Sequence, residues 1–87
     1  MLMHKEDFLG VIELPSMANG GGKTLTLIRF AEWYVVYLLG HVRCTIEHDI
    51  ESNLLRVTAP YKGIQTSKIV KSPKEAIATI IKMVCAK

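Results

Sequence analysis

The sequence predicts a single two-layer α+β domain with the element order β-α-β-β-β-α, in which a three-stranded antiparallel meander carries both helices on one face. Three observations support this fold class. The chain has 87 residues, enough for one hydrophobic core. Alternation of apolar and polar residues over 42–70 is typical of strands. Apolar residues spaced by three and four over 24–39 and 73–85 are typical of amphipathic helices. Within this domain, residues 1–23 are expected to form a strand and a loop, and residues 24–87 the core.

The first 23 residues are predicted to contain one short strand and a flexible Gly-rich loop. Apolar residues from Phe8 to Leu14 indicate the strand, which Pro15 ends. Three consecutive glycines at 20–22 indicate the loop, because glycine loses more backbone entropy on ordering than other residues. The glycines lead into a Gly-Lys-Thr sequence like the end of a phosphate-binding loop. However, Met17 stands where that motif needs glycine, so the flexible loop is preferred.

Residues 24–39 decide the fold class. Their apolar side chains follow the spacing of one helix face, with Thr24 as N-cap and Gly40 as the residue that ends the helix. The alternative is a pair of buried strands, because residues 33–37 are strongly β-prone. That pair would have to turn near Ala31 and Glu32, which form a poor turn dipeptide. The helix is therefore preferred.

The remainder of the chain carries clearer local signals. Alternation predicts three strands: Val42–Asp49, Leu54–Ala59 and Ile64–Val70. Turns are expected at 51–53 and 60–63, where asparagine, proline and glycine occur. Lys68 and Lys71 suit the third strand to a sheet edge, because they discourage further pairing. Serine, proline and glutamate at 72, 73 and 75 form a capping box that begins a helix predicted over 73–85.

The predicted helix over 24–39 also suggests an interface. Arg29, Trp33, Tyr37 and His41 would lie along one side of it at a spacing of four, beside the apolar stripe. Such a helix is apolar or aromatic around most of its circumference, whereas a two-layer domain covers only one side. Tryptophan, tyrosine and arginine are enriched at interface hot spots. The predicted function is a non-enzymatic interaction module that forms a homodimer or binds a protein partner, unless these aromatic residues only cover the edge of the core.

Nucleic-acid binding is the alternative function, and it follows from an uneven charge. The net charge is +3, but residues 1–55 carry four basic and seven acidic side chains, whereas residues 56–87 carry seven basic and one acidic. Such asymmetry attracts phosphate or an acidic protein, although scattered lysines also serve solubility alone. The candidate contacts with nucleic acid or other anions are lysines of the second half: Lys62, Lys68, Lys71, Lys74 and Lys82.

The predicted order helix-strand-strand-strand-helix over 24–85 is similar to that of the double-stranded-RNA-binding domain. That family places basic residues near its last helix against phosphates, and the resemblance implies this role for Lys71, Lys74 and Lys82. The family's Gly-Pro-x-His loop is absent, because residues 49–53 are acidic at that place, so membership is not assigned. Single-strand binding by stacking is disfavoured, since Tyr61 is the only aromatic residue of the predicted meander.

Catalytic and metal-binding patterns are missing from the sequence, so we predict no enzyme, no metal and no cofactor. The three histidines and two cysteines show no metal-ligand spacing. Cys44 and His48 share a predicted strand face but stand about 13 Å apart, too far for direct proton transfer. Cys44 is therefore predicted to be a core residue. Sparse cysteines and an apolar run far shorter than the ~20 residues of a membrane span predict a cytoplasmic protein that does not bind membranes.

Overall fold

The structure is a computed structural model that describes residues 3–15 and 23–86. Six strands form one antiparallel sheet in which each strand pairs with the next along the chain, and a helix follows the last strand. The elements are a 3-10 turn at Lys5–Asp7, β1 (Val11–Glu13), β2 (Thr24–Ala31), β3 (Tyr34–Leu39), β4 (Val42–Asp49), β5 (Leu54–Tyr61), β6 (Ile64–Val70) and α1 (Pro73–Val84). The predicted Gly-rich loop at 16–22 lies outside the described residues.

The predicted helix over 24–39 is wrong. This segment forms the hairpin of β2 and β3, so a six-stranded sheet with one C-terminal helix replaces the order β-α-β-β-β-α with two helices on one face. Ala31 pairs with Tyr34, and Glu32 and Trp33 make the two-residue turn between them. Pairing of β3 with β4 over six residues outweighs a local helical spacing, because β-branched and aromatic side chains fit a buried pleated surface. The element order shared with the double-stranded-RNA-binding domain disappears with the first helix.

A β-bulge in β2 explains why a strand pair imitated a helix. Leu27 pairs with Tyr37, yet Arg29 pairs with the adjacent Val36, so Ile28 is an extra residue on β2. A bulge reverses the alternation of side chains from that point onward. Leu27 on one side of Ile28 and Phe30 on the other therefore both belong to the core, and Arg29 points away from it. The spacing of three between these two core residues, which resembles that of a helix, results from this bulge.

The other turns and the C-terminal helix agree with their local sequence. Gly40, with φ of 58°, opens the two-residue turn between β3 and β4, and Lys62 and Gly63 both have positive φ in the turn between β5 and β6. Ser72 caps α1 by accepting a hydrogen bond from the Glu75 N–H at 3.2 Å, and the Glu75 carboxylate accepts from the Lys71 N–H at 2.9 Å. The strand at 64–70 lies at one edge of the sheet, as its lysines predict.

One face of the sheet, the inner face, carries the core. Rows of side chains such as Val35, Ile46 and Val57 follow the strand register and are fully buried. The apolar stripe of α1 packs on this face through Ala76, Ile80 and Met83, chiefly against β5. The N-terminal segment covers the neighbouring part, where Phe8 packs against Phe30 with ring centroids 5.9 Å apart. Of the described residues, both covering elements therefore lie on the same side of the sheet.

Candidate binding surface on the outer sheet face

The opposite side of the sheet, the outer face, carries side chains in rows set by the strand register. One row runs across four strands and the next across five: Tyr34, Glu47, Arg56 and Ile69; then Arg29, Val36, Thr45, Thr58 and Ser67. Antiparallel sheets with one covered face commonly expose polar side chains on the other. Arginine, threonine, serine and glutamate make up most of these rows, so the outer face is largely polar.

Four side chains at one end of the outer face form a compact group, the Arg–aromatic cluster: Arg29, Trp33, Tyr34 and Arg43. The Arg43 guanidinium donates a hydrogen bond to the Tyr34 hydroxyl at 3.2 Å. The Arg29 guanidinium carbon lies 6.0 Å from the centroid of the same tyrosine ring, within cation–π range. Trp33 stacks on Tyr34 with centroids 5.9 Å apart and planes inclined by 28°. The indole of Trp33 remains 55% exposed, so it presents an aromatic surface beside two guanidinium groups.

The centre of the outer face is sheltered by these long side chains. Val36 and Thr45 are neighbours across β3 and β4, and both are buried although no described element covers this face. Arg43 is two residues from Thr45 on the same strand face and reaches over this pair to Tyr34. The aliphatic stem of an arginine covers apolar surface while its head stays in water.

Polar side chains extend the outer face towards β6. The hydroxyls of Thr58 and Ser67 hydrogen-bond at 2.9 Å. The Gln65 side-chain amide donates to the Arg43 carbonyl at 3.0 Å. Extension of the β4–β5 register places Pro60 opposite Arg43, and proline has no N–H to donate. The glutamine therefore supplies the hydrogen bond that this carbonyl lacks in the ladder.

The outer face carries charges of both signs. Three arginines and three carboxylates stand on it: Arg29, Arg43, Arg56, Glu13, Glu47 and Asp49. Asp49 is the last residue of β4, and the pKa of its carboxyl is lowered, chiefly by a hydrogen bond from the Ser52 hydroxyl and to a smaller extent by Arg56. Arginine binds phosphate and carboxylate groups through two parallel donors, which lysine cannot do.

The four residues predicted for a helical interface are divided between different places. Arg29 and Trp33 meet in the Arg–aromatic cluster. Tyr37 is fully buried on the inner face, where its hydroxyl donates to the Leu9 carbonyl, and burial raises its pKa to about 12. His41 is exposed in the turn between β3 and β4, at the opposite end of the sheet from Trp33. The row of four with a spacing of one helical turn does not exist in the hairpin, and Tyr37 cannot reach a partner.

The lysines predicted to contact nucleic acid lie away from the outer face. Lys62 and Lys68 converge on Tyr61, with their ammonium nitrogens 5.5 and 5.8 Å from the ring centroid. The other lysines are exposed around α1: Lys71 before the helix, Lys74 in its first turn and Lys82 in its last. They surround the β6 side of the molecule with positive charge, which adds to the long-range attraction for anions.

The cysteine and histidine side chains form no reactive site among residues 3–15 and 23–86. Cys44 is fully buried as predicted, and desolvation raises the pKa of its thiol to about 11. The thiolate is the reactive form, so this cysteine is inert near neutral pH. The His48 Nε2 lies 2.9 Å from the Asn53 side-chain oxygen. No group of three or more possible metal ligands occurs in the described part of the chain.

Sequence reasoning missed Tyr34, Arg43 and Arg56 as site residues. The signal was present in the alternation of β4, where Arg43, Thr45 and Glu47 fall on the face opposite Cys44. This alternation indicates a site only when β2 and β3 are known to be strands, because Tyr34 and Arg29 then lie on the same face as Arg43.

Comparisons with known proteins identify no relative. No family model, no curated protein and no solved structure matches the chain. In the described residues, no helix has the length and apolar character needed to cross a membrane. The geometry of the outer face is therefore the basis on which a function is proposed.

Proposed function

We propose that this protein is a non-enzymatic binding module whose outer sheet face binds single-stranded nucleic acid. The observation that carries the proposal is the Arg–aromatic cluster, which combines an exposed indole with two guanidinium groups on an uncovered sheet. Single strands are bound by a positive surface that follows the backbone and by aromatic rings on which bases stack. Duplexes do not offer free base faces, so this combination favours a single strand.

The expected contacts follow from the positions of the side chains. A base stacks on Trp33, whose other side is supported by Tyr34. Arg29 and Arg43 contact the phosphates on either side of that nucleotide. The backbone then passes along the rows towards Arg56, where the hydroxyls of Thr58 and Ser67 offer further hydrogen bonds. Binding to phosphates and stacking are both tolerant of sequence, so little base preference is expected.

A second copy of the chain is less suited to this surface than a nucleic acid. The predicted homodimer depended on a helix that the hairpin replaces and on Tyr37, which is buried. The phosphate groups of a nucleic acid accept two parallel hydrogen bonds from a guanidinium group such as those of Arg29 and Arg43.

The test is fluorescence anisotropy with a labelled oligothymidylate of about ten nucleotides and its duplex, over about 50 to 200 mM salt. Wild-type protein is expected to bind the single strand more tightly than the duplex, with affinity falling steeply as salt rises. Trp33→Ala should weaken binding by about 1–3 kcal/mol, the contribution of one stacked base. Arg43→Glu should weaken it further and reduce the salt dependence.

Lys82→Glu is the matched control, because it makes the same charge change on an exposed position of α1. It should weaken binding much less than Arg43→Glu does. Equal losses in the two variants would show that only overall charge matters and would contradict a site on the outer face. Absence of salt-dependent binding to both DNA and RNA oligonucleotides would overturn the proposal. A size-exclusion mass equal to that of a dimer would favour self-association instead.

A further inference from the structure

A cleft lies on the inner face, at the end of the sheet remote from Trp33. It is bounded by the β3–β4 turn, the β5–β6 turn and the carboxyl end of α1, and its volume is about 450 Å³. We call it the C-terminal cleft. Small-molecule sites in proteins commonly measure about 300–1,000 Å³, so its size is sufficient for a small ligand.

The walls of the C-terminal cleft belong to the core but remain accessible. Leu39, Val42 and Val84 line it, and each is only partly buried although it packs against the core cluster. At the opposite end of the inner face, Met3 and Phe8 close the core and are themselves buried. At the cleft, the described residues leave the three lining side chains only partly buried, so part of their apolar surface remains available for contact.

The rim of the C-terminal cleft is basic. Lys23, His41 and Lys62 line it, all three are exposed, and no aspartate or glutamate is among its lining residues. The helix dipole places about half a negative elementary charge at the carboxyl end of α1, which repels an anion, and this effect falls off within one helical turn. The full charge of Lys62 in the β5–β6 turn exceeds this effect. An anion is therefore expected on the side of the two turns, away from α1.

We propose that the C-terminal cleft binds a small amphipathic anion, an aliphatic carboxylate of medium chain length. The chain covers Leu39, Val42 and Val84, and the carboxylate lies between Lys62 and His41. Apolar walls give an inorganic anion nothing to cover, and the basic rim repels a cationic amphiphile. The site is separate from the outer face, so the two proposals are independent.

The test is a titration of the isotope-labelled full chain with octanoate, followed by amide chemical shifts. Shifts are expected in Leu39–Val42, Lys62–Gly63 and Val84–Ala86, and not on the outer face. Octanol and octyltrimethylammonium are the comparison ligands, and both should bind more weakly. Lys62→Glu should weaken octanoate about five- to tenfold, because it replaces a favourable surface charge pair with a repulsive one.

Two further variants keep the result interpretable. Lys74→Glu makes the same charge change at the other end of α1 and should leave octanoate affinity within about twofold. Ala86→Trp places a bulky ring in the cleft and should abolish octanoate binding. The amide spectrum of this variant should remain that of a folded protein. Octanoate shifts elsewhere on the molecule, equal affinity for octanol, or full affinity in both Lys62→Glu and Ala86→Trp would overturn the proposal. Oligonucleotide binding is unaffected by any of these outcomes.

Discussion

The inner and outer faces of the sheet are made by the same strands, yet they differ in what covers them. Val35, Tyr37 and Ile46 on the inner face are fully buried beneath α1 and the N-terminal segment. Tyr34, one residue before Val35, and Arg43, three residues before Ile46, carry polar groups on a surface that no described element covers. Because side chains alternate between the two faces of a strand, an odd or even position decides whether a residue packs in the core or stands on the outer face. In β2 this alternation is reversed after the bulge at Ile28.

The strongest test of this comparison is a pair of single-residue deletions. Deletion of Ile28 removes the bulged residue and should leave every pairing of β2 with β3 intact, at a cost within about 1 kcal/mol. Deletion of Val36 from the regular part of β3 should prevent folding, because it exchanges the faces of half the strand. Circular dichroism and urea unfolding measure both. Loss of folding in the Ile28 deletion would show that the bulge itself is required.

Substitution of two adjacent residues of β3 by alanine tests the same difference between the inner and outer faces with a smaller expected effect. Tyr37→Ala should lower the free energy of unfolding by about 3–5 kcal/mol, because it leaves a cavity in the core and removes the donor to the Leu9 carbonyl. Leu38→Ala, one position along on the outer face, should cost about 1 kcal/mol or less. Thermal or urea unfolding gives both values. A comparable cost for Leu38→Ala would mean that the outer face is covered in solution.

The smallest expected effect is a loss of stability at alkaline pH. Tyr37 and Cys44 face each other across β3 and β4, and burial raises their pKa values to about 12 and about 11. The unfolded chain releases these protons earlier, near pH 10 and pH 9. The contribution of these two protonated groups to the free energy of unfolding is therefore fully present below pH 9 and is lost as pH rises towards 12. Tyr37→Phe should remove the upper part of this decline and Cys44→Ala the lower part, as measured by urea midpoints against pH.

A decline that persists unchanged in both variants would place the responsible groups elsewhere. The expected outcome is a flatter curve in each variant, whatever its stability at neutral pH. The comparison is between slopes, so a general destabilisation by either substitution does not affect it.

Local sequence was sufficient wherever a short-range interaction decides the structure. Ser72 and Glu75 begin α1 through hydrogen bonds that join residues three and four apart. Gly63 allows a tight turn, and Lys68 on an edge strand discourages further pairing. The predicted strands over 42–70 and the helix from Pro73 depend on such signals, and the structure has them at nearly the predicted bounds.

Local sequence was misleading at 24–39, and the prediction of the candidate site was therefore the most affected. Leu27, Tyr34 and Leu38 have helical spacing, but in the hairpin Leu27 lies on the inner face and the other two lie on the outer face. Arg29 and Trp33 were recognised as contact residues for a helix surface that does not exist. Their true neighbours, Tyr34 and Arg43, come from pairing with β4, which no local rule reports.

The sequence by itself determined where the chain turns between residues 50 and 63, where its last helix begins and which of its halves is basic. These properties depend on backbone conformations and charges that each residue carries with it. Only the tertiary structure decided that residues 24–39 are strands and that Arg29, Trp33, Tyr34 and Arg43 meet, because a sheet is held by hydrogen bonds between strands and exists only when its neighbours do. Tyr37 became core and Tyr34 became surface for the same reason.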